Sequence, residues 1–156
     1  MVHGPNLGRL GEREPAVYGV MTLAELTDAL ASWGQAHDVA VETHQSNAEG
    51  SLIDFLEAGV GRLDGAVLNP GALAHYGWAL RDCIAALPYP VMEVHLTNVF
   101  QREGFRRRLV LAPVTAGQIM GLGPLGYRLA LEALAERLLG EWPTQSGRNG
   151  QGGERT

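Results

Sequence analysis

The chain has 156 residues, of which 46% are hydrophobic and 19% charged, a composition that suits one globular domain with its own core. Its formal net charge of −5 argues against nucleic acid as the main ligand, and no apolar run approaches the ~20 residues of a membrane span. We therefore expect neither nucleic acid nor a membrane as a partner. The only cysteine, Cys83, excludes an internal disulfide and is typical of the reducing cytoplasm, where we expect the protein to act.

The first nineteen residues are predicted to form a loop rather than a helix or a strand. Glycine or proline interrupts any regular period at positions 4, 5, 8, 11, 15 and 19. Leu10 and Tyr18 distinguish the segment from a disordered tail, which would be poor in such side chains. Because long loops in compact domains are commonly functional, we predict an ordered, mobile active-site loop. It holds Asn6, Arg13 and Tyr18, which are residue types that proton chemistry uses.

Helical and strand patterns alternate over the rest of the chain. A capping box formed by Thr22 and Glu25 opens the first helix, in which apolar residues recur every three or four positions. Ser46 or Asn47 is predicted to cap the second helix, and Pro124 lies at an early position of the last one. The elements predicted in chain order are a helix over 22–34, a strand over 39–43, a helix over about 47–59, a strand over 65–69, a helix over about 73–87, a strand over 90–95, a polar connection over 97–108, a weak strand over 114–120 and a helix over about 122–139.

This alternation predicts a doubly wound α/β domain whose parallel sheet has about five strands in the flavodoxin-like order. The first strand is truncated to Met1, Val2 and His3, and such a short central strand would leave the ladder groups of its neighbours unpaired. We therefore expect that the native chain begins upstream of Met1. Residues 1–140 are predicted to form the single domain, and 141–156 a disordered tail, since they are poor in apolar side chains.

Four polar residues are predicted to meet at the carboxyl edge of the sheet, where ligands bind in such folds. Asn6 follows the first strand, Asn69 and His95 end two later strands, and His75 begins a helix. Each has a plain structural alternative. A histidine at a strand end is often only a hydrogen-bonding group, and Asn69 precedes Pro-Gly and suits a turn. Their shared location favours a functional site.

Tyr18 and Arg13 indicate the chemistry of that site. A tyrosine is a base only as tyrosinate, so its usual pKa of about 10 must fall by about three units, worth ~4 kcal/mol, and a nearby guanidinium is the usual cause. Arg13 lies on the same loop, although Tyr18 taken alone also suits a packing role. Arg102 and Arg106 offer further positive charge or a clamp for a substrate carboxylate. Their alternative role is that of solvated surface charges.

Other chemistries find little support. The sequence lacks the Gly-rich signatures of dinucleotide and nucleoside triphosphate sites, and its five histidines have no metal-ligand spacing. The glycines between positions 121 and 126 resemble a phosphate loop, but close packing at the start of the last helix explains them better. We therefore expect acid–base chemistry without a metal.

Six segments together resemble the type II 3-dehydroquinate dehydratase family. They are GPNLGRLGEREPAVYG (4–19), QSNAEG (45–50), LNPGALAH (68–75), EVHLTN (93–98), REGFR (102–106) and GLGPLGY (121–127). The first and fourth are specific in combination, and the resemblance extends over about residues 4–139. It implies a flavodoxin-like fold, no metal or organic cofactor, and a homo-oligomer, commonly a dodecamer built as a tetramer of trimers.

The resemblance also implies a reaction of the shikimate pathway, the reversible anti elimination of water from 3-dehydroquinate to give 3-dehydroshikimate through an enolate. Tyr18 corresponds to the base that removes the proton beside the ketone, and Arg13 to the arginine that lowers the pKa of that base. Asn6 corresponds to the residue that helps to hold the water stabilising the enolate oxygen. His95 corresponds to the general acid for the departing hydroxyl, oriented by Glu93.

A substrate-binding set is implied around those five residues. Closure of the loop over about 7–18 would exclude water from the substrate. The positions that correspond to substrate contacts are Asn69, His75, Asp82, Leu96, Thr97 and Arg106.

Two substitutions depart from the family pattern. Thr97 stands where the family usually has serine, and Phe100 where it usually has histidine, so we expect reduced or altered activity rather than its loss. Together with the truncated first strand, they leave open a catalytically impaired member that acts as a structural or regulatory partner. A flavodoxin-type or receiver-type binding module is a third possibility. The first needs a Ser/Thr-rich loop where Gly4 begins a different one, and the second needs an aspartate where Asn69 stands.

Overall fold

Five parallel strands form one sheet, in the order β2-β1-β3-β4-β5, in the computed structural model, which describes residues 1–12 and 20–140. This is the flavodoxin-like order, and the fold prediction is confirmed. The strands are β1 (Val2–His3), β2 (His44–Gln45), β3 (Ala66–Asn69), β4 (Val91–His95) and β5 (Gly117–Met120).

Four α-helices cover the two faces of the sheet in the described part of the chain. None of them is long and apolar enough to cross a membrane. They are α1 (Leu23–Ala36), α2 (Glu49–Ala58), α3 (Trp78–Ala86) and α4 (Leu125–Leu139), and 3₁₀ turns lie at Leu7–Arg9, Gly71–His75, Val99–Gln101, Gly104–Arg107 and Ala112–Val114.

Each face of the sheet has its own hydrophobic core, because successive strand residues point to opposite sides. Val2 and Leu68 pack with α2 and α3, whereas Val67 and Val94 pack with α1 and α4. All four residues of β3 are buried, as their continuous apolar run predicts. Cys83, on α3, lies in the core with residues of α2, where burial raises the pKa of its thiol, so it is a packing residue.

The two-residue strand β1 occupies an internal position in the sheet. It pairs with β2 on one side and with β3 on the other. Backbone hydrogen bonds continue one residue further, since Gly4 N donates to Asn69 O at 2.8 Å and Ser46 N donates to His3 O at 3.0 Å. A cleft of about 690 Å³ lies beside Met1, lined by residues 37–42 and 62–67 and by the last turns of α4. Two strand residues are thus sufficient to join β2 and β3 into one sheet.

Four of the predicted element boundaries are wrong. The last helix begins at Leu125, with Pro124 as its N-cap, rather than at about 122. The strand expected over 39–43 is displaced to His44–Gln45, because its neighbour β1 begins only at Val2, which pairs with His44. The helix expected over about 73–87 is divided into a 3₁₀ turn and α3, with Gly77 as the N-cap of α3. The last strand covers only Gly117–Met120 of the predicted 114–120, because a 3₁₀ turn occupies 112–114.

The cap prediction is confirmed at α1 and wrong at α2. Thr22 Oγ1 accepts a hydrogen bond from Glu25 N at 3.2 Å, and Glu25 Oε2 accepts one from Thr22 N at 2.8 Å, which completes the capping box. The N-cap of α2 is Ala48 rather than Ser46 or Asn47. Ser46 Oγ instead accepts from Ala48 N at 3.1 Å, ahead of the helix.

Candidate active site

Two loops meet at the carboxyl edge of the sheet, and glycines permit their contact. A Cβ atom at Gly4 would lie 2.5 Å from Pro70 O, and one at Gly71 would lie 3.0 Å from Pro5 O. Gly71 also has a φ of +57°, a conformation that disfavours other residues. Asn6 follows at a φ of 69°, which asparagine tolerates better than most side chains. The Gly-Pro-Asn and Asn-Pro-Gly sequences are therefore backbone requirements of this contact.

The pocket beside these loops has a volume of about 170 Å³ and gathers most of the predicted site residues. Asn6, Asn69, His75 and His95 all line it, which confirms that they share one edge of the sheet. Other residues that line it, predicted from the resemblance or from charge, are Leu96, Thr97, Arg102 and Arg106.

His95 ends β4 at the pocket and is held from behind by a buried carboxylate. It is 6% exposed, and its Nε2 lies 2.7 Å from Oε1 of Glu93. The two residues are two apart on one strand and therefore share a face of the sheet. Glu93 is fully buried, and its Oε2 accepts a hydrogen bond from Gln118 Nε2 at 2.6 Å. Both carboxylate oxygens are thus engaged, and the pair can stabilise a protonated imidazole at the pocket.

Asn69 ends β3 beside His95 and is 4% exposed. Its Oδ1 accepts a hydrogen bond from Gly71 N at 3.1 Å, and its backbone oxygen accepts the bond from Gly4 N. Asn69 therefore has both of the roles considered from the sequence. Its side-chain amide closes the Pro-Gly turn and also lines the pocket.

A buried polar pair, His3 and Tyr127, lies behind Asn69. Both side chains are fully buried, and Nδ1 of His3 lies 3.1 Å from the Tyr127 hydroxyl. Within the described residues, Nε2 of His3 has no hydrogen-bond partner. Burial lowers the pKa of His3 to about 3, because it disfavours the imidazolium. Burial also raises the pKa of Tyr127, against the effect of a hydrogen bond from Asn69, so the pair is neutral near pH 7.

Arginines give the pocket a positive side. Arg9, Arg102 and Arg106 line it. Oε2 of Glu103 lies 2.9 Å from Arg106 Nε and 3.8 Å from Arg102 Nε. The pKa of Glu103 is lowered, chiefly by a hydrogen bond from its own backbone and further by these two arginines. One carboxylate thus orients two guanidinium groups, and this side of the pocket suits an anionic group of a ligand.

Two side chains at the end of β2 hold the opening loop, and sequence reasoning assigned them no role of their own. Asn47 Oδ1 accepts a hydrogen bond from Asn6 N at 2.9 Å. Gln45 Nε2 donates to Gly4 O at 3.4 Å and to Asn47 Oδ1 at 3.3 Å. Their position at the carboxyl end of a strand was the one available signal, and the displaced strand prediction concealed it.

Among the described residues, Asp82 does not line the pocket, whereas His75 lines it from an element other than the one predicted. Asp82 lies on the exposed face of α3, where its carboxylate is 3.1 Å from Arg81 Nη1. His75 ends a 3₁₀ turn instead of beginning a helix, and its Nδ1 lies 3.0 Å from Arg108 O. Arg13 and Tyr18 lie outside the described residues.

Comparisons with known proteins agree with this arrangement. A family model described as Dehydroquinase class II matches residues 1–135. The 3-dehydroquinate dehydratase of Halalkalibacterium halodurans is 51% identical over 136 residues, which are 87% of this chain and 94% of that protein. That of Roseiflexus castenholzii is 55% identical over 134 residues, or 86% and 85% of the two chains. The crystal structure of the type II dehydroquinase from Propionibacterium acnes has a TM-score of 0.83 at 39% identity and covers 86% of this chain and 92% of that one. The chain belongs to the class II dehydroquinase family.

Proposed function

We propose that this chain is a type II 3-dehydroquinate dehydratase, a hydro-lyase that eliminates water reversibly from 3-dehydroquinate to give 3-dehydroshikimate. The observation that carries the proposal is the pairing of His95 with buried Glu93 at 2.7 Å, in a pocket that also contains Asn6 and Asn69. The relatives support the choice of substrate, because two proteins named 3-dehydroquinate dehydratase are 51% and 55% identical to this chain over most of its length.

In the proposed mechanism His95 is the general acid that protonates the departing hydroxyl. Its Nε2 is directed at Glu93, so the ring can present a proton on Nδ1 while the carboxylate stabilises the positive charge behind it. Asn6, held in its left-handed conformation, supports the water that stabilises the enolate oxygen.

Tyr18 is the proposed base, and Arg13 the residue that lowers its pKa. The support is the GEREPAVYG segment together with the position of the described residues that precede it. The described part of that loop lines the pocket through Leu7, Arg9 and Leu10. Closure of the loop over the substrate would exclude water during the transfer of the proton.

The substrate-binding proposal follows the charge of the pocket. Arg106 and Arg102 suit the carboxylate of the substrate, whereas Asn69, His75 and Thr97 suit its hydroxyl groups. The backbone at Leu96 and Thr97 lies beside them. The methyl group that Thr97 adds, relative to serine, narrows this part of the pocket.

A homo-oligomer, commonly a dodecamer built as a tetramer of trimers, is also part of the proposal, as is action in the cytoplasm. Asp82 is relevant to the homo-oligomer, because its side chain is exposed on α3 and does not line the pocket of its own chain. A role for Asp82 in substrate binding therefore requires that it reach the pocket of a neighbouring copy.

The test is an absorbance assay for the conjugated enone, run on the wild type and on Arg106→Leu. We expect turnover in the wild type and a KM about 10- to 100-fold higher in the variant, because a lost hydrogen bond to a charged group is worth about 1.5–3 kcal/mol. The matched control is Arg128→Leu, which removes an exposed guanidinium paired with Glu132 on α4 and should leave KM unchanged.

Absence of turnover in the wild type would contradict the proposal. That result would favour the alternative of an impaired family member that acts as a structural or regulatory partner. An unchanged KM in Arg106→Leu would remove only the assignment of the carboxylate clamp.

A further inference from the structure

Gln118 lies on the strand next to β4, directly beside Glu93, whose carboxylate supports His95. It lies in β5 and is the register partner of Glu93 in the parallel β4–β5 ladder, so both side chains leave the sheet on the same face. Its Nε2 donates to Glu93 Oε2 at 2.6 Å, while Glu93 Oε1 lies 2.7 Å from His95 Nε2. Three side chains therefore form one chain of hydrogen bonds that ends at the pocket.

The energetic role of Gln118 follows from the burial of Glu93. A fully buried carboxylate is costly unless donors satisfy it. His95 is one donor to the Glu93 carboxylate, but in the proposed reaction it gives up a proton and loses its positive charge. The amide of Gln118 is the other donor, and it is neutral and donates whether or not His95 is protonated. Without that constant donor, Glu93 would take the proton of His95 more readily, and the pair would become neutral.

We propose that Gln118 is a positioning residue for the elimination. Its amide holds Glu93 as an ionised acceptor, so that His95 keeps its Nε2–H directed inward and its transferable proton at the pocket. Gln118 does not line the pocket and acts only through Glu93 and His95. This role rests on the proposed function for the identity of the reaction, but the hydrogen-bond chain itself does not depend on the substrate.

The test uses two variants that separate charge from shape. Gln118→Leu removes the donor, and we expect kcat to fall about 10- to 100-fold, as for other supporting groups of this kind, with KM within about two-fold of the wild type. The fall of activity on the alkaline side of the pH profile should move to lower pH, because a less ionised Glu93 stabilises the imidazolium less.

Gln118→Glu has nearly the same shape as the wild type, and its protonated form restores the donor. The activity of this variant should therefore recover at acidic pH and drop steeply as pH rises.

The other charged and titratable groups lining the pocket with His95 are unchanged in both variants; they are Arg9, His75, Arg102 and Arg106. Gln35→Leu is the matched control, since this glutamine is exposed on α1 and should leave kcat and the pH profile as they are. Nitrogen NMR of the His95 ring, recorded without substrate, should show the Nε2–H form in the wild type and a changed tautomer balance in Gln118→Leu.

Several outcomes would overturn the proposal. One is a lower melting temperature in Gln118→Leu with an unchanged pH profile and unchanged ring signals, which would make Gln118 a packing residue. Another is a Gln118→Glu variant whose activity does not depend on pH differently from the wild type. If the wild type has no turnover, the proposed function fails, and the ring signals still decide whether Gln118 controls His95.

Discussion

Replacing His95 with alanine is expected to lower kcat by about 10²- to 10⁴-fold, which is the usual contribution of a positioned general acid. In the proposed mechanism the hydroxyl then has to leave without the proton that the His95–Glu93 pair supplies, whereas the arginines and Asn69 remain to bind the substrate. KM should therefore change much less than kcat. Tyr18→Phe should lower kcat over the same range, because it removes the proposed base while keeping the ring. Both effects are measured from the appearance of the enone at saturating substrate.

The control for this pair is His37→Ala, because His37 is exposed at the C-cap of α1, far from the pocket in the fold. Its kcat should match that of the wild type. Robust turnover in Tyr18→Phe would exclude Tyr18 as the base, even if His95→Ala is inactive. Turnover in His95→Ala at the wild-type rate would exclude the general acid and leave the buried His95–Glu93 pair with a structural role.

Acid should destabilise the fold through His3. The pKa of His3 falls from 6.5 to about 3 on folding, chiefly because of burial. Above pH 6.5 the group is neutral in both states, but below it the unfolded chain takes up a proton that the folded chain refuses. Unfolding free energy should therefore fall by about 1.4 kcal/mol per pH unit from this group, reaching roughly 4 kcal/mol near pH 3. Urea unfolding between pH 6.5 and 4.5 should show roughly 2–3 kcal/mol of this loss.

The matching variant is His3→Leu, compared with the wild type at each pH so that the titration of carboxylates cancels. His3→Leu leaves the Tyr127 hydroxyl without its partner and should be less stable at pH 7, but its stability should decline less steeply with acid. His37→Leu, which removes an exposed histidine, should keep the wild-type slope. Equal slopes in His3→Leu and the wild type would show that His3 is protonated in the folded state or is hydrated there.

The fold was predictable because its signals are local. Helical periodicity, the Thr22–Glu25 box and the apolar run of β3 each lie within a few residues, and alternation of the elements implies the parallel sheet. The displaced strand shows where local signals fail. Apolar and polar side chains alternate over residues 39–43, as they do in a strand. A strand also needs a paired neighbour, and the pairing with β1 begins only at His44, the register partner of Val2.

The site was predictable to the extent that it follows from strand ends. Asn6, Asn69 and His95 could be placed at one edge because parallel strands end together. Gln118 could not be foreseen, because its contact with Glu93 depends on the register between two strands separated by a long connection. The pairing of His3 with Tyr127 is similarly non-local.

The placement of β1 also has a consequence for the order of folding. Its residues pair with residues 44–45 and 68–69, so long loops must close before β1 gains its contacts. The β3–β4 pair is joined by a much shorter connection and can form first. Since Asn6 and Leu10 follow β1 and line the pocket, we expect the pocket to be assembled in a late step. Fraying of this two-residue strand should open the pocket while the β3–β5 part of the sheet remains folded.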